Sequence, residues 1–141
     1  MILNNRKEIV NLLKEHDCKI GIELGVSAGH YSNFLLKNYN FDIFYSVDSW
    51  NSRKHLVDQY FEAYKRLKNY NNNYIIRAEF DEVLLLFEDN YFDFIYIDGY
   101  AHLGSDPELD NWFPKLKTGG IYAGHDYSDT FPRNITSVNN F

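Results

Sequence analysis

Cysteine is almost absent from this chain: Cys18 is the only one in 141 residues. A lone cysteine excludes an intrachain disulfide framework and a thiolate zinc cluster, and it suits a reducing compartment. Its plainest reading is a packed or idle thiol. Basic charge is also short, with 14 Lys and Arg against 20 Asp and Glu, a net charge of −6. That balance argues against binding along a nucleic-acid backbone, which needs clustered cations. Long apolar runs are missing. No stretch nears the roughly 20 residues of a membrane span, and the start, M-I-L-N-N-R-K-E, has no extended apolar core of a signal peptide. The expectation is a soluble cytoplasmic protein with no nucleic-acid and no membrane partner. Glycine is scarce too, 8 in all, so the places where it falls are informative.

The content that remains is 45% apolar and 18% aromatic, enough for a folded core, and the length suits one domain spanning 1–141. The chain is organised around Gly21–Ser32, G-I-E-L-G-V-S-A-G-H-Y-S. An apolar run (Ile20, Ile22, Leu24) ends in a loop holding Gly25 and Gly29, and a helical pattern follows. A strand that runs into a glycine loop at a helix N-terminus brings backbone N–H groups close to a ligand. The spacing is not that of G-x-G-x-x-G, so a nicotinamide-type dinucleotide site is disfavoured. Glu23, two residues before Gly25, suits a ligand with a cationic ammonium and disfavours a pyrophosphate.

Read in order, Asn4–Glu15 has its apolar positions (Ile9, Val10, Leu12, Leu13) at helical spacing, with Asn4 or Asn5 as N-cap. Residues 1–17 thus form an N-terminal helical segment. Strands are expected at Lys19–Leu24, Phe41–Val47, Tyr74–Arg77, Tyr91–Ile97 and Ile121–Gly124. Helices are expected at Tyr31–Leu36, His55–Tyr70, Asp81–Phe87 and Pro107–Leu116, the last capped by Asp106 with Pro107 at its first position. Lys117–Gly120 reads as a turn, and 128–141 as a tail that only approaches a further helix. Strand and helix alternate, which predicts an α/β fold: a Rossmann-like, doubly wound, mostly parallel sheet of about five strands with helices on both faces. Ligands in such sheets bind at the carboxyl ends of the strands.

Each strand end delivers polar or small residues. The first gives Glu23 and the Gly25–Gly29 loop. The second gives Asp48, Ser49 and Trp50. An acid there can accept hydrogen bonds from both hydroxyls of a ribose, and Trp50 would cover an adenine face. The third gives Ala78 and Glu79, the fourth Asp98 and His102, the fifth His125 and Asp126.

E-L-G-V-S-A-G, S-V-D-S-W and F-D-F-I-Y-I-D-G resemble, in order, the first, second and fourth motifs of the class I S-adenosylmethionine-dependent methyltransferases. W-F-P-K-L-K-T-G-G-I-Y-A-G-H-D-Y, with I-D-G-Y-A-H before it, is similar to small-molecule and sugar O-methyltransferases. The resemblance implies S-adenosylmethionine as cofactor and a small-molecule or sugar hydroxyl as acceptor. It implies that Glu23, Gly25, Ser27 and Gly29 hold the methionine end, Asp48 the ribose, and Ser49, Trp50, Ala78 and Glu79 the adenine side, with Asp98 also facing the cofactor.

A hydroxyl acceptor needs help to lose its proton. Asp98, His102, His125 and Asp126 are the groups available for it. In one reading Asp98 and Asp126 hold Mg²⁺ or another divalent ion, and a histidine beside them suits a transition metal. In the other, His102 or His125 is the base and an aspartate orients it. The resembled fold continues with a helix and two further strands, and this chain is expected to reach only the approach to that helix. The fifth strand would then be an open edge, and a homo-oligomer is expected; a clean monomer by light scattering would remove that expectation. A non-catalytic protein that binds S-adenosylmethionine or S-adenosylhomocysteine is the alternative function.

Overall fold

The computed structural model describes residues 3, 5–51, 56–98, 107–130 and 132–140. His55, His102 and Asp106 lie outside the described residues. A short turn of 3-10 helix at Arg6–Glu8 opens the chain, capped by Asn5, whose Oδ1 accepts from the Lys7 N–H at 2.9 Å. Then follow α1 (Ile9–Glu15), β1 (Ile20–Leu24), α2 (His30–Asn38), β2 (Ile43–Asp48), α3 (Val57–Leu67), β3 (Asn73–Arg77) and α4 (Phe80–Leu84). The chain closes with β4 (Phe92–Ile97), α5 (Pro107–Trp112), a second 3-10 turn at Phe113–Lys115, β5 (Leu116–Gly124) and α6 (Pro132–Asn140).

The five strands form one sheet in the order β3-β2-β1-β4-β5, and every pairing is parallel. The expected Rossmann-like α/β architecture is therefore present. Parallel strands need crossovers, and the helices that supply them cover both faces. On one face α1, α2 and α3 bury Leu13, Leu35 and Leu67 against Phe41, Phe44 and Phe94. On the other, Val83 of α4 and Trp112 of α5 pack on Ile22, Leu24, Val47 and Ile95. Gly21 is required where the aromatic packing is densest, because a Cβ there would stand 2.8 Å from the Phe41 ring and 2.9 Å from that of Phe44.

The amino ends of the strands are tied by one side chain. Asp93 Oδ2 accepts from the N–H groups of Lys19 at 2.9 Å and Ile20 at 2.8 Å, and its Oδ1 meets Lys117 Nζ at 2.8 Å. This fixes the start of β1 against β4 and β5. Cys18 is buried beside it. Burial, then the nearby carboxylates of Asp93 and Asp17, push its thiol up to about 11, so it is a packed, unreactive group.

Two expectations need correction. Lys117–Gly120 is not a turn that precedes the fifth strand but part of β5 itself. Phe92 pairs with Leu116 and Phe94 with Ile121, so β5 carries three more residues than β4 across that interval. The glycines let this bulge form: Gly119 has φ +82°, and a Cβ on Gly120 would stand 2.9 Å from the Asp93 carbonyl. The tail is also more than an approach, because it contains α6, and the Tyr127 hydroxyl reaches Asn139 Oδ1 at 3.1 Å. No described helix is long and apolar enough to cross a membrane.

Candidate functional site

The carboxyl ends of the strands gather most of the residues singled out in the sequence. β1 turns into the loop 25–29, which leads into α2. Gly25 has φ +101° and its N–H bonds the Val47 carbonyl at 2.9 Å, so the loop leaves the sheet against β2. Gly29 has φ +78° and caps α2, and a Cβ there would lie 3.0 Å from the Ala63 backbone. Its lack of a side chain serves the close approach of α3.

The loop is clamped from three sides. Asp48 Oδ2 accepts from the Ser27 N–H at 2.8 Å, and its Oδ1 accepts from the Trp50 N–H at 2.9 Å. Trp50 Nε1 donates to the Ser27 carbonyl at 2.7 Å. Arg66 of α3 donates to the Ala28 carbonyl. Ser27 and Trp50 both sit at positive φ, +51° and +45°, a conformation that non-glycine residues hold only where such contacts fix it. Trp50 is buried, packed edge-on to Tyr60 with centroids 5.0 Å apart. In this structure the indole supports the loop and presents no open face to an adenine. Ser49 is half-buried, and its carbonyl accepts from Arg77 Nε at 3.4 Å.

Glu23 lies on the face of β1 that packs under α2, and it is 1% exposed. Ser32 of α2 bonds its carboxyl group. Ser46, the register partner of Glu23 on β2, lies 3.0 Å from Ser32 Oγ and donates to Asn73 Oδ1 at 2.9 Å. Ser32 thus donates to Glu23 from within a buried chain of hydroxyls. Burial pushes the Glu23 pKa up to about 8, against the opposing hydrogen bond from Ser32, with Asp98 raising it further.

Ala78 and Glu79 follow β3. The Ala78 N–H bonds the Asp48 carbonyl at 3.2 Å. Glu79 is exposed and caps α4, its N–H bonded to the Glu82 carboxylate at 3.2 Å. Those contacts tie both residues to the sheet and helix.

At the ends of β4 and β5 stand Asp98, His125 and Asp126. Asp98 is fixed by its N–H to the Leu24 carbonyl at 2.8 Å, and His125 by its N–H to the Ile97 carbonyl at 3.2 Å. His125 Nδ1 lies 2.8 Å from Asp126 Oδ1 and 3.4 Å from Asp98 Oδ1. One ligand atom from each of the three falls within 4.8 Å of the others. Two carboxylate oxygens and one imidazole nitrogen form a donor set that suits a divalent transition ion better than Mg²⁺. Asp126 has φ +61°, a further strained position at this end of the sheet.

Two residues here were not singled out in the sequence. Arg66 clamps the loop, and Arg6 reaches Asp98, its Nη1 3.9 Å from Oδ2. Both sit in charged helical stretches that read as solvated faces, and no spacing signal marks them.

A family whose model is described as a methyltransferase domain matches residues 18–127. Among solved structures, the O-methyltransferase from Bacillus cereus in complex with SAH is similar over 100% of this chain and 68% of its own, with a TM-score of 0.69 at 16% identity. The precorrin-6y C5,15-methyltransferase from Geobacter metallireducens is similar over 98% of this chain and 71% of its own, with a TM-score of 0.70 at 14% identity. The SAH-bound methyltransferase from Podospora anserina is similar over 86% of this chain and 52% of its own, with a TM-score of 0.65 at 16% identity. None of the curated protein sequences matches this one.

Proposed function

Because the chain belongs to the methyltransferase family, we propose that it transfers the methyl group of S-adenosylmethionine to a hydroxyl of a small molecule or sugar. The observation that carries this reading is the trio Asp98, His125 and Asp126 at the ends of β4 and β5, beside the β1 end that delivers the loop. A sulfonium methyl is already activated by its charge. What the protein must add is alignment and an acceptor oxygen able to shed its proton.

In this reading the loop 25–29 and Glu23 take the methionine end of the cofactor, and Asp48 takes the ribose. Asp48 already holds the Ser27 and Trp50 N–H groups, which fixes its carboxylate in place. Ser49, Ala78 and Glu79 border the adenine side. The ammonium group of the cofactor would supply the cation that Glu23 lacks, and Glu23 would release its proton to meet it.

At the acceptor, His125 is placed to take the proton. If Nδ1–H is turned to Asp126 Oδ1 at 2.8 Å, Nε2 is left as the acceptor. A divalent ion held by Asp98, His125 and Asp126 would lower the pKa of the bound hydroxyl instead. His102 is the other candidate base in this reading. The reading includes a cytoplasmic setting and pairing of two copies along β5, an edge of the sheet among the described strands.

Calorimetric titration with S-adenosylhomocysteine tests the cofactor half. Asp48→Ala should weaken binding by about tenfold or more, since two loop contacts and the ribose acceptor go together. Release of S-adenosylhomocysteine over a panel of hydroxylated acceptors then tests turnover. Tight binding with no turnover on any acceptor would favour a cofactor-binding protein without catalysis. No binding by the folded wild-type chain would overturn the reading.

A further inference from the structure

Arg6 has no part in the reading above, yet it stands over the acceptor end of the site. Its Nη1 is 3.9 Å from Asp98 Oδ2, while the other oxygen of that carboxylate faces His125 Nδ1 at 3.4 Å. The guanidinium lies on the ring of Tyr31, 4.7 Å from its centroid. The Tyr31 hydroxyl in turn donates to the Arg6 carbonyl at 3.0 Å, which holds the N-terminal turn in place independently of the side chain. The Arg6 side chain is 45% exposed, so it has room to move.

The carboxylate that Arg6 approaches is one of the three groups that converge as candidate ligands. A guanidinium cannot lose its charge at any ordinary pH. A divalent ion bound to Asp98 would meet that fixed positive charge a few ångströms away, and the two would repel each other. The Tyr31 face already supports the guanidinium, so a small shift along it is enough to leave the carboxylate.

We propose that Arg6 is an internal counter-cation of Asp98: its guanidinium offsets the carboxylate before any ion binds, and it must move off Asp98 for a divalent ion to bind. This rests on the divalent-ion branch of the proposed function. It makes Arg6 a brake on ion affinity and not a ligand.

Mn²⁺ titration followed by electron paramagnetic resonance tests this without any acceptor. Arg6→Met should bind Mn²⁺ at least about fivefold more tightly than wild type, the factor expected for removing one unit charge near 4 Å in a water-like dielectric. Arg6→Lys, which keeps the charge on a different head group, should fall between them. Lys115→Met removes a cation paired with Asp89, away from the site, and should leave Mn²⁺ affinity unchanged. Equal affinity in wild type and Arg6→Met, or a gain as large in Lys115→Met, would overturn the proposal while leaving the ion site standing. Failure of wild type and both Arg6 variants to bind Mn²⁺ would overturn the proposal and the divalent-ion branch together.

Discussion

Two acids on neighbouring strands, Asp93 and Glu23, sit at opposite ends of the same sheet, and their surroundings are opposite too. Asp93 faces two backbone N–H groups and the Lys117 ammonium. Partial burial works against its charge, but those donors prevail and hold its pKa below the ordinary carboxylate value. Glu23 is fully buried, faces one hydroxyl, and has other carboxylates nearby. Its pKa moves up to about 8. One acid is satisfied by the fold. The other is left wanting a cation, at the carboxyl ends of the strands. The amino ends of the strands hold the protein together, and the carboxyl ends carry the candidate site.

The comparison breaks most visibly at Asp93. Asp93→Ala leaves two N–H groups and a lysine without their acceptor and should destabilise the chain by about 3 kcal/mol, read from urea unfolding. Because its folded pKa is lowered, the stability Asp93 contributes is complete above the unfolded value near 3.9 and is lost as pH falls through the folded one. Asp93→Asn should remove that acid-side loss. A variant as stable as wild type at neutral pH would show that the clamp is incidental.

Glu23 should behave in the reverse sense. Its folded pKa is raised, to about 8, so stability is fullest below the unfolded value near 4.5 and declines as pH rises toward the folded one. Glu23→Gln replaces the titrating carboxyl group with a neutral amide whose oxygen can still accept from Ser32. It should flatten this decline and stabilise the chain by on the order of 1–2 kcal/mol at pH 8, while weakening S-adenosylhomocysteine binding. An unchanged slope in unfolding midpoints between pH 5 and 8 would contradict the protonated form. The smallest effect is expected for Trp50→Phe. Losing the bond to the Ser27 carbonyl should lower stability by about 1 kcal/mol and make the amide of Ser27 exchange faster. An unaltered exchange rate would mean that Asp48 and Arg66 suffice to fix the loop.

The contrast also explains what the sequence could reveal. The strands were legible because parallel strands buried on both faces read as apolar runs, as in F-D-F-I-Y-I. The strand-end acids were legible because alternating strand and helix leave few places for a ligand. The bulge in β5 was not, since T-G-G carries the same signal whether the chain reverses or merely swells within an edge strand. The helix α6 was missed because P-R-N-I-T-S-V-N-N has few apolar residues to mark a face. The clamp at Asp93 was hidden for a different reason. An acid within a strand reads as an outward-facing position, and nothing local says that backbone N–H groups of another strand converge on it. Arg6 and Arg66 were hidden likewise, because their partners are set by tertiary approach.

The clamp of Asp48 on the loop bears on time. Its two oxygens already hold the Ser27 and Trp50 N–H groups at 2.8 and 2.9 Å, so the loop is shaped before any ligand arrives. A ligand that donates to Asp48 meets an acceptor set in advance and has little backbone left to order. Its capture should then run at the pace of encounter and not of loop folding, and variants of the clamp should differ from wild type in how soon the ligand leaves more than in how fast it comes.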